Sequence, residues 1–278
     1  MSVQWFPGHM TKAIRNIKQM LPAVDMVIEC RDARIVESSH NPLIDEVIKD
    51  KPRLIVLTKK DLANPLLTEQ WHKKLEIEGA VVISLNVLKD NVAKKIEQGC
   101  LLVMKEKQEK DLRRGIKPRI IRAMIMGVPN VGKSTIINRA ANKKVNETAN
   151  RPGVTQSLKR VKVSDTLEIV DSPGLLWPRF ENQEQGMNLA LCLSVKETGF
   201  EVDQVIAYGL KRLSKDYKNK IVERYQVEDI SDIEQIKKNI VRITGKQEND
   251  GSMMVLRDIQ NHVFGRFTWD EIIDDLQD

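Results

Sequence analysis

Short apolar runs rich in β-branched residues recur along the first 170 residues of the chain, and each run ends in polar residues. This pattern is typical of buried strands in a parallel sheet. The predicted strands cover residues 24–30, 53–57, 80–84, 121–126, 158–163 and 166–170. Helix-like stretches at 41–50 and 66–78 separate the first three runs, and Pro42 suits the start of a helix. Alternating strands and helices predict an α/β fold.

From about residue 187 the pattern changes, because turn-forming residues become sparse and the apolar positions follow a helical period. In residues 204–224 the apolar side chains fall on one side of a helix and most of the basic side chains fall away from it. We therefore predict two domains. An α/β domain would cover residues 1–185, with an N-terminal arm or helix at 1–20, and an all-α domain would cover 186–278.

The segment that follows the strand at 121–126 matches the phosphate-binding pattern G-x-x-x-x-G-K-[ST], with a strand before it and a helix after it. The backbone N–H groups of such a loop surround phosphate oxygens. Lys133 would add a positive charge near the β- and γ-phosphates, and Ser134 would offer a hydroxyl to Mg²⁺. The residues of this loop that we predict to bind nucleotide are Asn130, Val131, Gly132, Lys133, Ser134 and Thr135.

Two further segments belong with a phosphate loop. Asp171 and Gly174 lie in Asp-Ser-Pro-Gly directly after the strand at 166–170, where the Asp171 carboxylate would reach the metal through water. The same four residues could instead form an ordinary turn. Thr155 lies in a polar loop at 142–157 and is the threonine that we expect to close over the γ-phosphate and Mg²⁺.

The sequence Thr58-Lys59-Lys60-Asp61, at the end of a buried strand, favours guanine over adenine. A carboxylate at Asp61 would accept hydrogen bonds from the ring N–H and the exocyclic amine of guanine, a donor pair that adenine lacks. Lys59 would lie along the base, with its aliphatic stem on the ring. Thr58 stands where GTPases most often carry asparagine. Taken alone, the motif could also be a solvated turn.

Support for the guanine assignment comes from Ser84, Leu85 and Asn86, which follow the next apolar strand. A GTPase uses backbone and a small side chain at this place to support the guanine oxygen. The motifs then run in the order base loop, base support, phosphate loop, switch threonine and metal aspartate, whereas in the usual GTPase the last three come first. Such a permutation leaves the pocket intact, because loops at one edge of a parallel sheet build it.

We therefore predict a P-loop GTPase-type doubly wound sheet that is circularly permuted and carries a C-terminal all-α domain. Because the loop after Asp171 leads directly into the helical domain, we expect the nucleotide state to be transmitted to those helices.

Charge and composition add a second expectation. The 278 residues carry a net charge of +6, and residues 94–122 hold ten basic and four acidic side chains. Such a surface attracts polyphosphates, including RNA, although it could also be a solvated helix face.

The sequence predicts a cytoplasmic protein without a membrane partner. Its three cysteines are isolated, and it lacks a secretory leader and a long apolar run.

These motifs resemble those of the circularly permuted GTPases of ribosome biogenesis, and most closely the bacterial ribosome biogenesis GTPase A (YlqF) family. The shared stretches are WFPGHMTKA (5–13), RDARI (31–35), SSHNP (38–42), KPRIIRAMIMGVPNVGKSTIINR (117–139), RPGVT (151–155), DSPGLLWPRF (171–180) and, more loosely, DIQNHVFGRFTWDE (258–271). The resemblance implies GTP hydrolysis as a nucleotide-dependent switch in late assembly of the large (50S) ribosomal subunit. It also implies binding to ribosomal RNA and ribosomal proteins. We expect a monomer off the ribosome.

The chain lacks the glutamine with which many GTPases orient the attacking water, since Leu175 occupies its position. His9, in an N-terminal arm that could fold back, is the candidate within the chain to act with Lys133 and Thr155 in catalysis. Asn130 resembles the asparagine of potassium-activated GTPases, which predicts a K⁺ site. We expect slow hydrolysis of GTP to GDP that the large subunit stimulates. The other three histidines look structural, and the one in the charged helix WHKKL is predicted to lie at the surface.

Two other classes of protein compete with this interpretation. An RNA-binding scaffold with a vestigial phosphate loop would not need the intact lysine, serine, threonine and aspartate of the motifs. A P-loop ATPase or small-molecule kinase would bind ATP and GTP equally and would not depend on Asp61.

Overall fold

The structure is a computed structural model that describes residues 9–141, 160–177, 180, 182–245 and 250–272. Within these residues, six strands form one sheet in the order β3-β2-β1-β4-β6-β5. The strands are β1 Met26–Asp32, β2 Arg53–Thr58, β3 Val81–Ser84, β4 Ile121–Met126, β5 Arg160–Lys162 and β6 Leu167–Asp171. All neighbours pair in parallel except β5, which is antiparallel to β6 at the edge. The predicted α/β class is confirmed.

The carboxyl ends of the parallel strands meet at one edge of the sheet. In register, Asp32 pairs with Thr58 and Leu57 with Ser84. On the other side of the sheet, Asp171 pairs with Ile125 of β4. The loops that carry the predicted motifs therefore emerge side by side, as expected for a parallel sheet.

The helices of the described residues fall into two groups, five that accompany the sheet and four that follow it. They are α1 His9–Met20, α2 Pro42–Ile48, α3 Pro65–Ile77, α4 Val92–Arg113, α5 Lys133–Ala140, α6 Gln183–Leu191, α7 Val202–Tyr225, α8 Ile233–Thr244 and α9 Gly251–Gln260. Helices α2 and α3 start in the same way, with an asparagine cap followed by proline, and each cap oxygen accepts from a backbone N–H of the first turn. None of these helices is both long and apolar enough to cross a membrane.

Both faces of the sheet are buried. Leu54 of β2 packs in one cluster with Cys100 of α4, whereas its neighbour Ile55 packs with Trp71 and Leu75 of α3 in a second cluster. Successive residues of a strand point to opposite faces, so α3 and α4 cover opposite sides of β2. The predicted doubly wound arrangement is therefore present.

After α9 the chain returns to the α/β domain. We name residues 262–272 the C-terminal strap. The backbone N–H of Phe267 donates to Leu62 O at 3.1 Å, and that of Trp269 donates to Arg34 O at 2.6 Å. The sequence pattern did not predict this return, and the domain boundary near residue 185 stays a prediction.

Candidate nucleotide-binding site

The phosphate loop connects β4 to α5 and has the backbone conformation that its glycines allow. Gly127, Asn130 and Gly132 have φ angles of +148°, +56° and +111°. A β-carbon on Gly127 would lie 2.5 Å from the carbonyl oxygen of Cys30, so only glycine fits there. The loop ends at Lys133, where α5 begins and its first N–H groups point back toward the loop.

Lys133 lies inside this loop. Its side chain is buried, and Nζ donates to the carbonyl oxygens of Gly127 at 3.0 Å and Val128 at 2.8 Å. Burial lowers the pKa of the amine to about 8, and the nearby negative charge of Asp171 opposes that shift. A phosphate chain beside the amine would raise this pKa again, because an opposite charge stabilises the charged form.

The predicted metal ligands flank the phosphate loop. Asp171 is buried at the end of β6, and Ser134 is half-buried in the first turn of α5, where Thr135, predicted to bind nucleotide, is also half-buried. The described residues contain no group of three or more His, Cys, Asp or Glu side chains close enough to hold a metal by themselves. A hydroxyl and a single carboxylate suit Mg²⁺, which keeps waters and shares phosphate oxygens. Thr155 lies outside the described residues.

The segment after Asp171 contacts the phosphate loop through its backbone. A β-carbon on Gly174 would lie 2.8 Å from Cα of Pro129. Leu175 N donates to Gly127 O at 3.1 Å, and Asn41 Nδ2 donates to Leu175 O at 2.9 Å. The side chain of Leu175 is fully buried. The position at which many GTPases carry a water-positioning glutamine is therefore occupied here by a buried leucine.

The base loop is bonded directly to the phosphate loop. The Thr58 hydroxyl, at the end of β2, donates to Val131 O at 2.6 Å and lies 3.2 Å from Arg31 O. Lys59, with a φ of +55°, donates from Nζ to Asn130 O at 2.7 Å. Two loops that are 71 residues apart in sequence at the Lys59–Asn130 bond therefore lie side by side.

The base-support segment lies beside the base loop, as predicted. Leu85 N donates to Leu57 O at 2.8 Å, and Lys60 N donates to Leu85 O at 3.3 Å. The Asn86 side chain accepts from the N–H groups that follow it and holds the turn after β3. Ser84 Oγ lies 2.9 Å from Nδ1 of His72.

His72 is consequently half-buried, contrary to the surface position predicted from its charged helix. Asp61, the predicted base-binding carboxylate, is half-buried directly after Lys60. Its role in binding a base stays a prediction.

The predicted catalytic residues are less well defined. His9 is the first residue of α1, and its side chain is outside what the structure describes. Asn130, the predicted K⁺ ligand, donates from Nδ2 to the carbonyl oxygen of Leu193 at 2.6 Å. This bond joins the phosphate loop to the turn after α6. The K⁺ site and the role of His9 stay predictions.

Sequence reasoning missed a buried charge network behind the base loop. Asp32 Oδ2 lies 2.9 Å from Lys59 Nζ and accepts from Arg34 NH2 at 2.7 Å. Burial by itself would raise the pKa of Asp32, but the charges of Arg34 and Lys59 hold it well below its usual value. Burial lowers the pKa of Lys59, although Asp32 opposes this. The charged residues of RDARI, which directly follow an apolar run, were the feature of the sequence that could have indicated this network.

Comparisons with known proteins identify the family of the chain. A profile of the family described as 50S ribosome-binding GTPase matches residues 122–253. Ribosome biogenesis GTPase A of Bacillus cereus is 41% identical over 278 residues, which cover 97% of this chain and 94% of that protein. The protein of the same name from Priestia megaterium is 40% identical over 98% of this chain and 97% of its own length. The GNP-bound crystal structure of YlqF from T. maritima has a TM-score of 0.65 at 21% identity, covering 94% of this chain and 98% of that one, which indicates a similar fold.

Proposed function

The chain belongs to the ribosome biogenesis GTPase A family, and from that premise we propose how its residues bind and hydrolyse GTP during assembly of the large ribosomal subunit. As a member of this family it is a GTPase that acts in ribosome assembly. The finer statements below, on its site residues, its catalytic groups and its contacts, are our proposal. We place its action in the cytoplasm, as a monomer off the ribosome.

The direct bonding between the base loop and the phosphate loop carries the site assignment. Because Thr58 and Lys59 donate to the carbonyls of Val131 and Asn130, the base and the phosphates of one nucleotide would contact a continuous surface. Lys133 and the N–H groups of the loop bind the phosphates. Ser134, through its hydroxyl, and Asp171, through water, would hold Mg²⁺, which would supply positive charge to the phosphates.

Guanine specificity is assigned to Asp61. An Asp61→Asn change exchanges the carboxylate for an amide that suits xanthine, whose exocyclic group is an oxygen rather than an amine. We expect calorimetric titration to show that the wild type prefers GDP to ADP and XDP, and that the variant loses GDP affinity and gains XDP affinity. A loss of this kind reaches about 100-fold or more when a buried group is left unpaired. Equal affinity of the wild type for ADP and GDP would instead support the ATPase alternative.

Catalysis is proposed to need a water-positioning group from elsewhere, because Leu175, at the position where many GTPases carry glutamine, is buried and apolar. We assign this role to His9, acting with Lys133 and Thr155 once the large subunit is bound. K⁺ near Asn130 would supply positive charge to the phosphates when it is present. Hydrolysis measured with and without large subunits, in K⁺ and in Na⁺, tests both assignments. Turnover of many per second without subunits, or full stimulation of His9→Ala, would contradict them.

RNA binding is proposed to involve the end of helix α4. The buried residues of this helix end at Met104, so its last two turns extend beyond the sheet. We name residues 105–119 the basic extension. Its exposed basic side chains are Lys105, Lys107, Lys110, Arg113, Arg114, Lys117 and Arg119. Only three acidic residues interrupt them. Within the part of the chain that the structure describes, Lys107 and Arg119 form ion pairs with Asp25, and the other five form none.

This surface fits a phosphate backbone, because unpaired cations release counterions when they bind nucleic acid. We compare two triple variants in binding to large-subunit particles over a range of salt. The first replaces Lys110, Arg113 and Arg114 with glutamine. The matched triple replaces three exposed lysines of the helical domain, Lys211, Lys218 and Lys238.

The basic extension predicts that the first triple lowers the slope of log affinity against log salt by about two to three, at roughly 0.9 per phosphate contact in a duplex. If only the helical-domain triple variant lowers the salt slope, the RNA contact lies on the helical domain and not on the basic extension. If neither triple variant changes the slope, neither surface contacts RNA.

A further inference from the structure

The C-terminal strap lies against the residues that flank the predicted base-binding carboxylate. Asp61 is followed directly by Leu62, whose carbonyl oxygen accepts from Phe267 N at 3.1 Å. Two residues further on, Asn64 N donates to the hydroxyl of Thr268 at 3.0 Å. Thr268 is buried and Asn64 is half-buried, so this bond is partly shielded from solvent. The strap therefore holds the backbone on the carboxyl side of Asp61.

A second contact joins the strap to the base-packing lysine. Arg34 binds Asp32, which in turn pairs with Lys59, and NH1 of Arg34 lies 2.8 Å from Nε2 of His262. A guanidinium can only donate, so Nε2 of His262 accepts and the ring is neutral. Burial and the Arg34 charge lower the pKa of His262 to about 4, which agrees with a neutral ring. A continuous chain of polar contacts thus runs from the strap to Lys59.

The other side of the strap is fixed to helix α7. Tyr217 OH donates to Arg266 O at 2.7 Å, Lys220 Nζ donates to Phe264 O at 2.8 Å, and Arg212 donates to Trp269 O at 2.6 Å. Tyr217 is also the one residue where α7 departs from helical geometry, with φ −128° and ψ 21°. The strap is therefore bonded both to the helical domain and to the base loop.

The polar contacts of the strap are not needed merely to attach the helical domain to the sheet. Phe267 and Trp269 are buried in the same apolar cluster as residues of the sheet and of the C-terminal helices, and apolar burial of that kind is enough to hold two surfaces together. Several of the polar contacts, by contrast, lead to Lys59 through Arg34 and Asp32, or bind the backbone at Leu62 and Asn64. Those are the positions that determine where Lys59 and Asp61 meet a base.

We propose that the C-terminal strap positions the base loop, and that Arg34, His262 and Thr268 are positioning residues for guanine recognition. The strap holds Asp61 in the place where it accepts from the guanine amine and holds Lys59 along the ring. Because Arg212, Tyr217 and Lys220 of α7 bind the same strap, loss of those bonds alters guanine affinity. This inference rests on the guanine site proposed above.

The test uses the full chain and two separate single changes. Thr268→Val keeps the shape of the side chain and removes the acceptor of Asn64 N–H. His262→Asn shortens the side chain so that it no longer reaches Arg34, and asparagine tolerates the φ of +57° at this position. Two controls disturb the helical domain away from the base loop. Thr244→Val removes a hydroxyl that binds Ile240 O, and Arg224→Gln breaks an ion pair with Asp258.

Calorimetric titration of each variant with GDP and with IDP, in Mg²⁺, gives two dissociation constants and their ratio. Inosine lacks the exocyclic amine, so the ratio reports how well Asp61 is placed. The loss of a hydrogen bond is worth about 0.5–1.5 kcal/mol, or roughly two- to tenfold in affinity. We expect both strap variants to bind GDP about three- to tenfold more weakly. IDP should weaken less, because inosine offers Asp61 only the ring N–H, so that the ratio falls. The two controls keep the wild-type ratio.

Urea denaturation of all five proteins separates positioning from stability, because a purely structural role lowers stability and leaves the ratio unchanged. The proposal is overturned if the wild type discriminates GDP from IDP and both strap variants retain that ratio. It is equally overturned if the controls lower the ratio as much as the strap variants. A wild type that does not distinguish GDP from ADP would instead refute the guanine site itself, a result that the strap variants cannot imitate.

Discussion

Gly174 is where the segment after Asp171 touches the phosphate loop, and its replacement by alanine tests that contact. A β-carbon there would lie 2.8 Å from Cα and 2.9 Å from N of Pro129. Carbon atoms pack at about 3.5 to 4.0 Å, so the two loops would have to separate by roughly 0.7 Å. Neither neighbour is the end of a flexible side chain that could turn away. Overpacking of this kind costs about 1–3 kcal/mol of unfolding free energy.

The same separation acts on nucleotide binding. Leu175 N donates to Gly127 O at 3.1 Å, and the added distance would break that bond. One lost hydrogen bond costs about 1 kcal/mol, so Gly174→Ala should lower the unfolding free energy by about 2–4 kcal/mol. Because Gly127 starts the phosphate loop, GDP affinity should fall by about tenfold or more, which corresponds to roughly 1.4 kcal/mol of binding free energy.

Urea denaturation measures the unfolding free energy of this variant, and calorimetric titration measures its affinity for GDP. Gly209→Ala in α7 is the matched control. A β-carbon there meets only the side-chain ends of Leu191 and Ile259, at 3.2 Å, and alanine improves helix propensity by about 1 kcal/mol. Stability and affinity of Gly174→Ala equal to those of the wild type would refute backbone contact between the loops as the reason for this glycine.

Three further predictions concern buried polar groups. The three cysteines are buried and burial raises the pKa of each thiol to about 12, so mass spectrometry should find them unalkylated by iodoacetamide at pH 8 until urea unfolds the chain. The pKa of His262 is lowered to about 4, so as the pH falls the unfolded state binds this proton before the folded state does, and the unfolding free energy should decrease from about pH 6.5 to 4. His262→Asn should weaken this pH dependence in urea denaturation. An identical pH dependence in the variant would contradict the buried neutral ring. Asn41→Asp keeps the cap of α2 but sets a carboxylate against Leu175 O, and should destabilise the fold by about 1–3 kcal/mol, whereas Asn91→Asp, at the exposed cap of α4, should not.

Local patterns predicted the elements that build the site. Each parallel strand was found within two residues of its predicted bounds, because a buried strand needs a run of apolar residues that neighbours in sequence supply. The phosphate loop was also predictable, since its strand, glycines and helix are contiguous from β4 to α5. The base loop and the base-support segment were predictable once the strands were parallel, because their carboxyl ends share one edge.

Other features depend on which distant segments meet. Nothing near Arg34 indicates that it contacts His262, 228 residues away, or that Ser38 donates to Asp270. Likewise, the sequence did not indicate that His72 contacts Ser84, or that the Thr58 hydroxyl, predicted to face the nucleotide, donates to the phosphate loop. The sequence by itself therefore determined the permuted motifs, whose chemistry lies in contiguous residues. Only the tertiary structure decided that the strap lies behind the base loop, because that contact depends on how four helices pack and where the chain leaves the last of them.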